Sequence, residues 1–205
     1  MLPSSSEIIG AFLLLVYNLF IILFVSRKVC KRFGSYVARK VIHFLSGGVS
    51  LFLIPLLFKE MYLPILLIAV MVLFTLGGHF WKRWGWFQTK GNYSDVYFNI
   101  TCAILLAVFW YHNIWIGVLS CLFMAWGDGV TGIVRSMVYK ERRKGIWGNV
   151  AMLSLCSFLG YLILGKIGVI GGMFSSVVEK FEILDDNISV PLGSAALMSA
   201  LVLLL

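Results

Sequence analysis

An all-α bundle of membrane-spanning helices is the fold this chain predicts, and three observations predict it. Hydrophobic residues make up 60% of the 205 positions, and mean hydropathy is +0.95, far from the roughly half-apolar make-up of soluble domains. The apolar residues gather into stretches of about 15 to 20, long enough for a helix to cross about 30 Å of hydrocarbon. None of these stretches alternates with the two-residue period of a barrel strand.

Eight stretches follow one another as spans: about 8 to 25, 41 to 58, 61 to 78, 96 to 112, 114 to 131, 148 to 165, 167 to 178 and 190 to 205. The first, within residues 1 to 26, has no basic residue before it and no small-residue cleavage site after it, so it is expected to be a retained helix rather than a signal peptide. Basic residues decide orientation. Arg27, Lys28, Lys31, Arg32, Arg39 and Lys40 lie between the first two spans, and Arg135, Lys140, Arg142, Arg143 and Lys144 between the fifth and sixth. Those connections are expected to be cytoplasmic, with both termini outside. Lys82, Arg83 and Lys90 fall on the same side by alternation. The opposite connections, around Lys59 to Glu60, His112 to Asn113 and Gly165 to Lys166, are short and nearly uncharged. The formal charge of +8 thus serves topology and anionic headgroups, not nucleic acid. A single integral-membrane domain over 1 to 205 is expected, its motifs concentrated in about 38 to 192.

Asp128 stands at the end of a strongly apolar run. A carboxylate near hydrocarbon is costly and normally faces a cavity, a partner or an ion. The topology also gathers Arg39, Lys40, His43, Asn92, Asp95, Asp128, Lys144, Asn149, Glu179, Asp185, Asp186 and Asn187 at the cytoplasmic ends of spans. A site mixing carboxylates and cations there suits a divalent metal and a polyphosphate beside a lipid headgroup.

Each constellation also has a plainer reading. In ARKVIHFLSGG, Lys40 and His43 share a helix face; a basic helix end is commonly a headgroup anchor, and a buried His is as readily bonded to a backbone carbonyl as functional. In YSDVYF, Asp95 opens the fourth span, where an acid complements the helix dipole and caps N–H groups. Tyr93, Tyr97, Phe98, Trp81, Trp84 and Trp86 fit an interfacial belt. Around Asp128 the small residues Gly127, Gly129, Thr131 and Gly132 allow close approach, and with Arg135 and Lys144 this segment can hold a metal-bound triphosphate between a carboxylate and cations. It lacks the spacing and preceding strand of a P-loop. In EKFEILDDNISVPL, Asp185, Asp186 and Asn187 can cap the last helix, and their number also points to a metal or nucleotide contact. Cys30, Cys102, Cys121 and Cys156 have no CxxC spacing and fit as small packing residues. His79 and His112 lie on opposite faces and build no zinc site.

Arg39-Lys40-x-x-His43, the Asp-Val-Tyr-Phe of Asp95 to Phe98, Gly127-Asp128-Gly129 with Arg135, the Lys-rich stretch ending in Lys144 to Asn149, and Glu179 followed by Asp185 to Leu192 occur in an order that resembles the CTP-dependent polyprenol kinase family. That family includes dolichol, phytol and related isoprenoid-alcohol kinases, and the resemblance covers about 38 to 192. It implies phosphoryl transfer from CTP, with Mg²⁺ or another divalent cation, to the hydroxyl of a long isoprenoid alcohol. The family's GD matches Gly127 and Asp128, and its KSxxGS-like segment matches Lys144 to Asn149, with Gly145 and Asn149 in place of serines. Asn99 stands where the family has proline. The catalytic set implied is Asp128, Lys144, Asp186 and Glu179, with Asp128 and Asp186 as metal contacts. Arg39, Lys40, His43, Arg135, Lys144, Gly148 and Asn149 are the implied nucleotide contacts. Asp95, His43 and Asn187 would touch the alcohol, whose prenyl tail would enter from the lipid. A lipid cytidylyltransferase and a CTP-dependent diacylglycerol kinase remain alternatives. A membrane carrier is a more distant one, since no internal repeat or midplane polar site is seen.

Overall fold

The computed structural model describes residues 3 to 81, 83 to 139, 145 to 181 and 184 to 204. All its elements are helical: α1 (Ser5–Phe20), α2 (Ser26–Val41), α3 (Val49–Leu57), α4 (Tyr62–Phe80), α5 (Ser94–Leu122), α6 (Gly129–Tyr139), α7 (Ile146–Phe181) and α8 (Asp186–Leu204). Three π-helical stretches, Ile21–Val25, Ile42–Gly48 and Phe123–Asp128, join α1 to α2, α2 to α3 and α5 to α6 without a break. By length and composition, five of the resulting helices can cross a bilayer: Ser5–Leu57, Tyr62–Phe80, Ser94–Tyr139, Ile146–Phe181 and Asp186–Leu204. They are the helices of an integral membrane protein. Ile8, Phe12, Val16, Phe20 and Phe24 run exposed along one side, as a lipid-covered face requires.

Three of the five double back on themselves. The chain reverses at Gly34, where φ is +84°, at Asn113, with φ −144° and ψ 88°, and at Gly165, where φ is +60°. The two glycines hold backbone angles that a side chain would oppose. Polar bonds tie the first hairpin: the Tyr17 hydroxyl donates to the Leu45 carbonyl at 3.0 Å, and Asn18 Nδ2 donates to Ser50 Oγ at 2.9 Å. The first helix starts on a capping box, Glu7 N–H to Ser4 Oγ at 3.3 Å and Ser4 N–H to the Glu7 carboxylate at 2.8 Å. Glu7 also accepts from Lys59 N–H at 2.8 Å, which pins the start of the hairpin to its end.

In the α7 hairpin, contact is backbone on backbone. A Cβ on Gly160 would strike the Gly168 carbonyl, and one on Gly172 would strike the Cys156 backbone at 2.5 Å. Gly160→Val is therefore expected to destabilise the bundle by about 1–3 kcal/mol through overpacking, read as a lower unfolding temperature in detergent. Gly85→Ala, which meets open space, should leave that temperature unchanged.

The core lies where α5, α7, α8 and the Phe123–Asp128 stretch meet, with Leu106, Leu119, Leu122, Phe123, Met152, Val190 and Met198 fully enclosed. The ends of the bundle differ. At one, Tyr111 donates to Glu60 at 2.7 Å and Trp110 to the Lys59 carbonyl at 3.1 Å; the other carries the charged residues of the candidate site.

Two sequence expectations change. Arg27 to Lys40 form no loop: both arms of the first hairpin continue as helix to the reversal at Gly34. Nor do Trp84 and Trp86 stand in a lipid belt. Trp84 stacks on Phe74 with ring centroids 5.4 Å apart, and Trp86 donates to the Ile22 carbonyl at 3.1 Å and Ser26 Oγ at 3.0 Å beneath the Arg27 guanidinium. The segment between α4 and α5 folds inward over the helix ends, where the Trp86 indole N–H finds acceptors that lipid lacks and Trp84 is held by its ring contacts. Trp81, by contrast, is 93% exposed.

Candidate active site

π-helical turns set the site. Widening a turn shifts the backbone ladder by one residue and frees a carbonyl, and such turns recur at functional sites. Here the Ile22, Phe44 and Leu45 carbonyls in these stretches accept side-chain donors from Trp86, Trp126 and Tyr17. The Ile42–Gly48 and Phe123–Asp128 stretches lie against each other. Gly48 makes room for the Trp126 indole, whose N–H donates to the Phe44 carbonyl at 2.9 Å.

This packing brings Lys40 onto Asp128, its ammonium bonded to both carboxylate oxygens. Asp128 is 6% exposed, and His43 and Arg135 lie within its electrostatic reach. The small residues after Asp128 have a packing reason. A Cβ on Gly132 would meet the Lys40 stem at 2.5 Å, and one on Gly129 would meet Phe44 at 3.2 Å. They let the first hairpin approach α6 closely enough for the pair to form.

A second pair lies deeper. Arg135 donates to Glu179 at 3.0 and 3.3 Å and to Asn149 Oδ1 at 3.0 Å, while Ser176 donates to the Asn149 carbonyl at 3.1 Å. With Arg135 5% and Glu179 1% exposed, this pair ties α6 to both arms of α7. Arg135, expected on phosphate, instead spends its fork on Glu179 and Asn149. Gly148 packs against Arg135 and its carbonyl accepts from Thr131 at 3.2 Å.

Asp185 behaves as a cap: its Oδ1 accepts from Asn187 N–H at 2.9 Å and Asn187 Nδ2 at 2.8 Å, and its Oδ2 from Ser94 at 2.6 Å. Asn187 is thus held at the head of α8, where Asp186 is the first residue. Lys144 lies outside the described residues. Arg39 reaches Thr89 at 3.5 Å.

Asp95 does not cap α5; at its start the Asn92 side chain accepts from Ser94 N–H at 3.1 Å. Its carboxylate accepts from His79 Nε2 at 2.9 and 3.2 Å and from Gln88 Nε2 at 2.8 Å. Gln88 also donates to the Thr75 carbonyl at 2.9 Å. His79, Gln88 and Thr75 were not among the sequence candidates. The available signal was that His79 ends one span and Asp95 begins the next on the same side.

Asp95 lines a chamber of about 110 Å³ between the first hairpin, α4 and the start of α5. Arg39, His43, Asp95 and Asn99, with Thr89 and Asn92 of the segment before α5, line one end, and Leu14, Leu51, Ile54, Leu67, Ile68 and Met71 the other. His43 Nδ1 is enclosed there without a hydrogen-bond partner among the described residues. The chamber is therefore amphiphilic: Asn18, with Ser46 and Ser50 bonded to it, interrupts its apolar length, and its charged end lies one helical turn from Lys40.

The chain matches no family model and no solved structure. It is 33% identical over 126 residues to a probable phytol kinase, chloroplastic, of Triticum aestivum, a stretch covering 49% of this chain and 41% of that protein. It is 30% identical over 122 residues to phytol kinase 1, chloroplastic, of Arabidopsis thaliana, covering 47% and 40%. One relative is a phytol kinase and the other a probable one. The isoprenoid-alcohol kinase resemblance read in the motifs thus has curated counterparts over about half the chain, and the matched stretch covers about two fifths of each relative's length.

Among the described residues no group of three or more His, Cys, Asp or Glu is arranged to hold a metal. Asp128 supplies one carboxylate beside a cation. That fits magnesium, which keeps waters and takes substrate phosphates beside one or two carboxylates.

Proposed function

We propose that the chain is a membrane-embedded kinase that moves the γ-phosphoryl group of CTP to the hydroxyl of an isoprenoid alcohol of the phytol or geranylgeraniol type. The observation that carries this reading is the amphiphilic chamber, whose polar end, at His43, lies one turn from the Lys40–Asp128 pair. An alcohol lying in it keeps its tail among apolar helices and lifts its hydroxyl to the charged cluster, so the chain need not be drawn into water. The phytol kinase relatives support the acceptor class.

Phosphoryl transfer needs an in-line hydroxyl and neutralisation of charge on the transferring group. Asp128 would hold magnesium, which supplies that neutralisation on the triphosphate. Lys40 and Arg39 bring fixed positive charge to the mouth, and Lys144 is placed by its motif as a further phosphate contact. Arg135 and Glu179 fix the start of α7, where Gly148 and Asn149 would meet the nucleotide. We further infer eight crossings, the three helical reversals lying at membrane surfaces, and a site on the cytoplasmic face.

The test is a matrix: purified protein with magnesium, each nucleoside triphosphate, and phytol, geranylgeraniol, a dolichol and diacylglycerol as acceptors. The expected product is an isoprenyl monophosphate with CDP. Release of pyrophosphate with a CDP-lipid would make the protein a cytidylyltransferase instead, and phosphorylation of diacylglycerol alone would move the acceptor class.

A further inference from the structure

We propose that Asp95, held by His79 and Gln88 at the polar end of the chamber, takes the proton from the acceptor hydroxyl. The inference rests on the kinase reading and assigns that reaction its catalytic base.

Carboxylates at the charged end have different partners. Asp128 is covered by Lys40, Glu179 by Arg135, and Asp185 is occupied by Ser94 and Asn187. A carboxylate clamped to Lys or Arg is a poor base because the cation favours its ionised form. Asp95 is bonded through its carboxylate to the His79 ring and the Gln88 amide. It has a side-chain exposure of 21% and lines the chamber, while His79 behind it is 4% exposed.

The two supports come from separate elements, α4 and the segment that follows it. Gln88 is itself anchored: it bonds the Thr75 carbonyl and accepts from Trp84 N–H at 3.1 Å. The carboxylate is therefore held in one orientation, as a base acting on a positioned hydroxyl requires. On the same chamber wall, His43 Nδ1 offers an enclosed nitrogen without a partner among the described residues. A hydroxyl, at once donor and acceptor, suits that pair of polar groups at the end of an apolar slot.

In the step assigned, the alcohol oxygen bonds to the γ-phosphorus and the bond from that phosphorus to the bridging oxygen of the nucleotide breaks. The hydroxyl proton passes to the Asp95 carboxylate and is given up to water once the products, an isoprenyl phosphate and a nucleoside diphosphate, have left. His79 acts through Asp95 and is a positioning residue. The titratable groups around Asp95 are His79 of α4, with Tyr93 against its ring, Arg39 and His43 of the first hairpin, and Asp185 of the α8 cap, bonded to the adjacent Ser94.

The test compares the full-length protein with Asp95→Asn, His79→Gln and His79→Ala, using magnesium CTP, geranylgeraniol or phytol, and a photoreactive geranylgeraniol analogue for binding. Asp95→Asn is expected to lower kcat at least ~100-fold, the lower end for loss of a general base, with nucleotide KM within ~3-fold and photolabelling retained. The acid limb of the wild-type pH profile should vanish from the residual activity. His79→Gln, which keeps an N–H donor, should retain most turnover with that limb displaced, and His79→Ala should not. Asp95→Asn turnover near that of wild type overturns the inference and leaves the kinase reading standing. So does a loss of labelling that matches the loss of kcat, which marks a structural residue. A wild-type protein that phosphorylates no isoprenoid alcohol with any nucleotide sinks both.

Discussion

Asp128→Asn leaves the bundle folded and lowers phosphoryl transfer by about 10³-fold or more, the scale expected when a fixed charge that organises the transferring phosphates is removed. Asn keeps the shape and an oxygen acceptor for Lys40, but not the anion. The neighbourhood then changes from a balanced pair to an uncompensated ammonium. Lys40 has a side-chain exposure of 15% and lies at a helix end near the charged surface, so its flexible stem can carry that charge toward water. Folding should therefore survive, as judged by an unchanged elution volume and an unfolding temperature within a few degrees of wild type. Lys40→Gln serves as the companion: it removes the cation and should weaken nucleotide use chiefly through KM. Turnover by Asp128→Asn within tenfold of wild type would remove Asp128 from the reaction and reduce the pair to a strut between the first hairpin and α6.

Cutting Arg135 or Glu179 alone should have the largest effect on stability. Each single change to Ala leaves a charge buried without its partner, a situation that costs about 3–5 kcal/mol. Replacing both with Met removes the two charges together and should recover most of that loss, since a buried pair exchanged for apolar side chains is often neutral or stabilising by about 1–4 kcal/mol. Thermal or denaturant unfolding in detergent of wild type, Arg135→Met, Glu179→Met and the double Met variant forms a double-mutant cycle, and strong coupling is the expected result. If Arg135→Ala and Glu179→Ala were each as stable as wild type yet inactive, Arg135 would be a phosphate contact, as its spacing from Asp128 first implied.

Class and greasy architecture were legible from composition alone, because a backbone in lipid must satisfy its own hydrogen bonds and only helices with long apolar runs do so here. The gathering of Lys40, His43, Asp95, Asp128, Arg135 and Glu179 toward one end was also visible, since basic connections mark one side and every reversal returns the chain to a known face. Their pairing was not. A one-dimensional pattern places Arg135 downstream of Asp128 and invites a shared phosphate, whereas its guanidinium turns to Glu179, 44 residues away. Asp95 does sit in the first turn of α5, where an acid complements the dipole, but its partners were not legible, because only the inward fold of the segment between α4 and α5 delivers Gln88 to it. Trp84 and Trp86 failed as belt residues for the same reason.

By itself, the sequence determined that the chain is helical and membrane-embedded, that its charges gather at one end, and which family its motifs resemble. These follow from local hydropathy, charge placement and residue order, none of which needs a partner in space. Tertiary structure decided which acid meets which base and left an apolar chamber with a polar end beside them. Those outcomes depend on where π-helical turns rotate a helix and where glycines let two helices touch, and both are settled by packing between segments rather than within them.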